Sequence, residues 1–168
     1  MRAVERARAD FEALAAVARS FSSPLDDAPA LVEAQREKLL ESERAHRRVA
    51  TELAQSRGRE LYANTTPSPA GVRGIQRRVP TLSDDLRAEA QSFIAGAKAI
   101  FLAAGDDPPA LMLAASADSG LHAGNLLKSA LASAGGRGGG SASMAQGSLP
   151  SKTALEEVVR ALAASAGL

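Results

Sequence analysis

The sequence predicts an α/β protein: an N-terminal long-helix hairpin, coiled-coil-like, followed by a small α/β domain with a mixed sheet flanked by helices. Three observations predict it. The first 62 residues carry 11 basic and 11 acidic side chains but a single glycine, Gly58, and their apolar residues recur at helical spacing. Beyond the turn-rich stretch Asn64-Thr65-Thr66-Pro67-Ser68-Pro69-Ala70-Gly71, short apolar runs alternate with turn formers. Eight of the 14 glycines then fall between Gly120 and Gly147.

Taken in order, Phe11, Leu14, Ala15, Ala18 and Phe21 define a first helix. It should end near Ser22-Ser23-Pro24, because proline disfavours helix in the residue before it. A second helix should start near Asp26-Asp27-Ala28-Pro29, where acids suit the positive helix end and proline is tolerated in the first turn. It should run to about Tyr62. Val32, Leu39, Val49 and Leu53 make a narrow seam, with His46 on the same spacing, and charged pairs such as Glu43 with Arg47 cover the other faces. Such a seam is expected to pack on one partner helix, with His46 partly buried. The reading is a helical hairpin or an interdomain spacer.

The second part opens with a strand over Val72–Val79. Thr81 or Ser83 can cap a helix over Asp84–Ala97. Ala99–Ala104 and Ala110–Ala117 read as continuous apolar strands, hence a sheet covered on both faces. The turn between them is Gly105-Asp106-Asp107-Pro108-Pro109. A helix from about His122 to Ala134, a glycine-rich loop, a strand around Ser143–Leu149 and a last helix after Pro150-Ser151 complete the order. The domain reading is 1–62 helical hairpin or spacer, 63–71 linker and 72–168 α/β domain.

Composition excludes several classes. Twenty basic and 19 acidic residues leave a net charge of +1, so any polyanion must be met by a local patch. Aromatics make up 3%, too few for a single-strand reader built on base stacking. With no cysteine and two distant histidines, no metal site or other cofactor is expected. No apolar run is long enough to span a bilayer and the charged N-terminus is no signal peptide, so no membrane partner and a cytoplasmic location are expected. The acid pairs Asp26-Asp27, Asp84-Asp85 and Asp106-Asp107 read as caps and turn formers.

The glycine-rich segment carries the most information. Gly120-Leu121-His122-Ala123-Gly124-Asn125-Leu126-Leu127-Lys128 is followed by Gly135-Gly136-Arg137-Gly138-Gly139-Gly140-Ser141 and by Met144-Ala145-Gln146-Gly147. Glycines allow close backbone approach, and successive N–H groups can form an anion-holding concavity. Arg137 can clamp a phosphate bidentately. His122 and Asn125 sit in the first turns of a helix, where the dipole favours an anion, and Lys128 lies one turn on. A flexible linker is the plain alternative, but a helix and a strand flank the run closely. It is not a nucleotide P-loop: Ser141-Ala142 stands where Lys and then Ser or Thr are required.

These residues, from His122 through Lys128, Gly135 through Gly140 and Met144-Ala145-Gln146, resemble the C-terminal (C-Ala-type) domain of alanyl-tRNA synthetases. The same domain closes the longer free-standing alanyl-tRNA editing proteins and is the associated domain of the DHH phosphoesterases. The resemblance is specific from about Pro109 to Leu162, and the preceding helices and basic strand fit the family's order less specifically. Ser141-Ala142-Ser143 departs from the Arg-Pro-Asp-like triplet of synthetases, which favours the editing-protein branch. The resemblance implies a non-catalytic domain that binds the outer corner of tRNA and can dimerise. The family's zinc clusters and DHH motif are absent from this sequence. The chain is therefore expected to be the C-terminal piece of an alanyl-tRNA editing protein, with a catalytic domain ending just before Arg2 and Met1 not a natural start.

The nucleic-acid-binding candidates are Arg73, Arg77 and Arg78 on the basic strand, with His122, Asn125, Lys128, Gly136, Arg137, Gly138, Gly139, Gly140 and Gln146 around the glycine run. The expected partner is tRNA, of the alanine type or its mischarged form, with a homodimer as a further possibility. The alternative is an oligomerisation or structural scaffold without RNA binding. A free-standing hydrolase finds no support: Ser119, Ser141 and Ser143 lie near His122 in sequence, but no nucleophile elbow is present.

Overall fold

The structure is a computed structural model and describes residues 2–168. The chain divides into a first unit ending at Val49 and a second, Ala50–Leu168.

The first unit holds helix α1 (Arg2–Ser20), a single 3-10 turn (Leu25–Asp27) and the start of helix α2 (Ala28–Asn64). Helix α1 stops two residues before the expected Ser22, which takes a positive φ of 53° as the chain reverses. The Ser23 N–H then returns to the Ala18 carbonyl, and Ala18 and Ala28 are buried at the corner. The expected seam is not buried: Val32, Leu39 and Val49 are 46%, 57% and 62% exposed. His46 is also exposed, a correction to its expected part-burial. Helical spacing specifies a stripe but not what covers it.

In the second unit the last turns of α2 lead into β1 (Arg73–Val79), α3 (Asp84–Phe93), β2 (Ala99–Asp106), β3 (Pro109–Ala115), α4 (Ala123–Ser133), β4 (Arg137–Gly140), β5 (Met144–Ser148) and α5 (Lys152–Ala166). The five strands form one mixed sheet in the order β1-β2-β3-β5-β4. Strand β1 runs parallel to β2, and every other pair is antiparallel. This is the predicted fold class.

The central strands β2 and β3 are buried along nearly their whole length because apolar layers cover both faces. Ile100, Leu102, Leu111 and Leu113 point towards α4 and α5, meeting Leu127, Leu131, Leu155 and Leu162. Phe101, Ala103, Met112 and Ala114 point the other way, towards Leu86, Ala90 and Phe93 of α3. Tyr62, Phe93 and Phe101 stack edge to face at 5.7 Å centroid spacing, and the Tyr62 hydroxyl donates to the Ala97 carbonyl at 2.9 Å. Small residues permit this closeness. A Cβ on Gly58 would lie 2.2 Å from the Glu89 carbonyl oxygen, so at this point α2 lies directly on the α3 backbone.

Most boundaries follow local chemistry. Ser83 caps α3 by accepting from the Leu86 N–H at 3.2 Å, and Ser151 caps α5 by accepting from Ala154 at 3.2 Å. Helix α3 ends at Phe93 rather than Ala97, because Gly96 abuts the Tyr62 ring and Lys98 turns left-handed (φ 48°) into β2. Strands β2 and β3 extend into the expected turn, pairing Asp106 with Pro109 and leaving a two-residue connection.

Candidate nucleic-acid interface

The basic strand β1 forms one edge of the sheet, and its arginines split between two faces, as alternation requires. Each has internal partners. Arg73 donates to the Thr65 carbonyl and sits over the Tyr62 ring at 5.0 Å. Arg77 pairs with Glu89 of α3, whose side chain is only 12% exposed. Arg78, on the opposite face, pairs with Asp106 at 2.8 Å and with Glu156 of α5 at 3.4 Å. The hydrogen bond and charge of Arg78 hold the Asp106 carboxyl below the ordinary aspartate range. Asp106 in turn raises Arg78.

The glycine run lies at the other edge, four strand spacings or about 19 Å away. The structure therefore does not bring Arg73, Arg77 and Arg78 together with Arg137. It also corrects the expected loop. Arg137–Gly140 is strand β4, paired with β5 in the register Gly138↔Gly147 and Gly139↔Gln146. None of these residues has a positive φ, so no concavity of N–H groups forms. Within the run 135–140, Gly135 alone has left-handed backbone (φ 69°), where it ends α4 and lets the Gly136 N–H return to the Leu131 carbonyl at 2.8 Å.

Gly136, Gly138, Gly140 and Gly147 answer to packing. A Cβ on Gly138 would lie 2.5 Å from the Gly147 Cα and 2.6 Å from Leu131 Cδ1, and one on Gly140 would lie 2.2 Å from the Met144 carbonyl oxygen. Helix α4 thus lies directly on one side of the hairpin. Its start is fixed the same way. The Ala123 and Gly124 N–H groups donate to the Ala142 and Ser141 carbonyls at 2.8 and 2.9 Å. The Asn125 N–H donates to His122 Nδ1 at 3.2 Å. All three leading donors are taken, so the expected anion seat at this helix end is closed, and His122 serves as the cap. Asn125, Lys128 and Arg137 project into solvent, and Gly136 and Gln146 are half-buried.

One residue that sequence reasoning missed joins this region. Arg87 of α3 reaches across the sheet and its Nη2 donates to Gln146 Oε1 at 2.6 Å. Arg87, Gln91, Gly139, Gly140, Met144 and Gln146 line a shallow depression of about 360 Å³. The contact bridges 59 residues of sequence, and no local pattern signals it. A second missed set is structural. Ser116 Oγ donates to Asp118 Oδ1 at 2.7 Å, and the Lys98 N–H donates to the same oxygen at 2.8 Å. Those bonds, that of Ser116 foremost, hold the Asp118 carboxyl below its ordinary range. Among the described residues no cluster of His, Asp and Glu is arranged to hold a metal ion. Nor is any helix long and apolar enough to cross a membrane.

A five-stranded mixed sheet with flanking helices, preceded in the chain by a long helix, defines the class: a small α/β domain. The family model described as the DHHA1 domain matches residues 81–167, just over half of the chain, and the chain belongs to that family. Among solved structures, the C-Ala domain of Aquifex aeolicus alanyl-tRNA synthetase is similar at 20% identity and a TM-score of 0.47, covering 54% of this chain and 87% of that one. No curated protein matches the sequence.

Proposed function

We propose that this chain is a non-catalytic nucleic-acid-binding module whose ligand is tRNA, engaged at its outer corner, and that it forms the C-terminal part of an alanyl-tRNA editing protein or a synthetase-like protein. Its setting is the cytoplasm, and its tRNA is of the alanine type or the mischarged form. The supporting observation is the β4 edge of this DHHA1 domain, where Arg137 stands exposed at the head of a strand whose other three residues are glycines. A bare strand admits a sugar–phosphate backbone closely, and an exposed guanidinium complements it. Lys128 and Asn125 of α4 flank that edge. With so few aromatics, shape and phosphate recognition is favoured over base reading. The test is a fluorescence-anisotropy titration of the chain with tRNA(Ala), an unrelated tRNA and a linear RNA of equal length at two salt concentrations. Salt-sensitive binding to both tRNAs and not to the linear RNA is expected. Equal binding to all three would overturn corner recognition, and no binding would overturn the whole reading.

A second reading has its own observation. Val32, Leu39 and Val49 are 46%, 57% and 62% exposed along α2, an apolar stripe suited to self-association. A scaffold role predicts a dimer in sedimentation runs at rising concentration. A monomer throughout would remove it.

A further inference from the structure

The β4–β5 hairpin has a closed side and an open side. On the closed side Gly138 and Gly147 face each other and Leu131 of α4, and Gly140 faces Met144 and Ala145 of β5, so none has room for a side chain. On the other, nothing lies within 4 Å of the place a Gly139 Cβ would occupy. Strand alternation puts Arg137 on this open side with Gly139, and the register puts Gln146 directly opposite Gly139. Arg87 arrives there from α3 and is held by Gln146 Oε1 at 2.6 Å.

We infer that Arg87, fixed by Gln146, and Arg137 form a phosphodiester-binding surface over the bare backbone of Gly139, the seat of an RNA sugar–phosphate chain. The inference rests on the reading of this chain as an RNA-binding module and adds the face and the residues. The two arginines there are donors only. With its oxygen engaged by Arg87, the Gln146 amide offers its NH₂ group, and both guanidinium groups keep free N–H bonds. No acidic side chain lines the depression. Neither arginine has a carboxylate ion-pair partner among the described residues, unlike Arg77 and Arg78. The Gln146 bond limits the rotamers Arg87 must give up on binding. An anionic, acceptor-rich ligand with a thin profile fits: a phosphodiester backbone.

The test uses the whole chain and tRNA anisotropy at several salt concentrations. Arg87→Ala is expected to weaken binding about tenfold, the loss of a charged hydrogen bond. It should also lower the slope of log affinity against log salt by about 0.7–0.9, one phosphate contact. Arg87→Lys should restore the slope but not the full affinity, because an ammonium lacks the planar fork. Gly139→Val should block the floor and weaken binding while leaving the melting temperature intact, since the position is open. Arg78→Ala, at the far edge, should leave the slope alone. If the unaltered chain binds tRNA and both Arg87→Ala and Gly139→Val bind as well with the same slope, this surface is wrong and the RNA reading stands. If the unaltered chain binds no RNA, both fall. Equal displacement of tRNA by poly-glutamate of matched charge would overturn the phosphodiester assignment in favour of an acidic polypeptide.

Discussion

Strand β1 and strand β4 both present arginine at an edge of the same sheet, but the surroundings of the charge differ. At β1, Glu89, Asp106, Glu156 and the Thr65 carbonyl take up the guanidinium groups. At β4, Arg137 has no such partner among the described residues, and Arg87 on the same side of the hairpin is held by a neutral amide. Three arginines on one strand therefore tie α2, α3 and α5 to the sheet, while fewer cations beside a glycine strand remain available to a polyanion. A count of basic residues measures charge; what a ligand meets is the charge left over after internal pairing.

That contrast can be broken or sharpened by substitution. The largest effect should come from Gly138→Val, on the closed side of the hairpin, which has to displace β5 backbone and Leu131. A loss of more than about 3 kcal/mol in urea unfolding is expected, against almost none for Gly139→Val one residue away. Equal losses at the two positions would erase the distinction between the two sides. Next, Arg77→Ala leaves the largely buried Glu89 carboxylate without its partner. Stability should fall by about 1–3 kcal/mol, with no change in the salt dependence of tRNA binding. A change in that dependence would put β1 back among the RNA contacts.

Smaller effects follow at the helix cap and in acid. His122→Ala removes the acceptor for the Asn125 N–H and should cost about 0.5–2 kcal/mol, with His122→Ser recovering most of it. Failure of serine to recover stability would show that His122 acts by something other than capping. The two depressed carboxyls give the pH dependence. Asp106 and Asp118 both titrate lower in the folded chain than in the unfolded one. Their contribution is complete above the unfolded value of about 3.9 and is lost as pH falls through their lower folded values. Acid unfolding should therefore begin below about pH 4, and Asp118→Asn should flatten the decline. An unchanged acid profile in that variant would mean the Ser116 and Lys98 bonds do not favour the charged form.

Continuous apolar runs made the central strands readable and helical spacing the helices, because burial imposes both: Leu111, Leu113 and Phe101 could be placed from their runs alone. Ser83 and the acid pair after it marked a helix start for equally local reasons. The glycine run was harder. Dense glycine looks the same whether the backbone must bend or must be approached, and here approach by Leu131 and Gly147 is the demand, met by an extended strand. Pairing was not readable at all. Arg78 and Glu156 are 78 residues apart, so whether an arginine is free depends on a helix at the other end of the chain. The exposed seam at Leu39 and His46 shows the same limit from the apolar side: spacing specifies a stripe, and only tertiary structure says whether anything lies against it.

The bareness of β4 also limits how portable it is. A strand of glycines has almost nothing of its own to bury, and a lone two-stranded hairpin is marginal even with good side chains. Its conformation is imposed from outside, by Leu131 beneath and by the α4 N–H groups that hold the Ser141 and Ala142 carbonyls. A peptide cut from residues 135–149 would keep every letter of the motif and wander among many shapes. Grafting the motif onto another scaffold would succeed only if the inner face of α4 travelled with it.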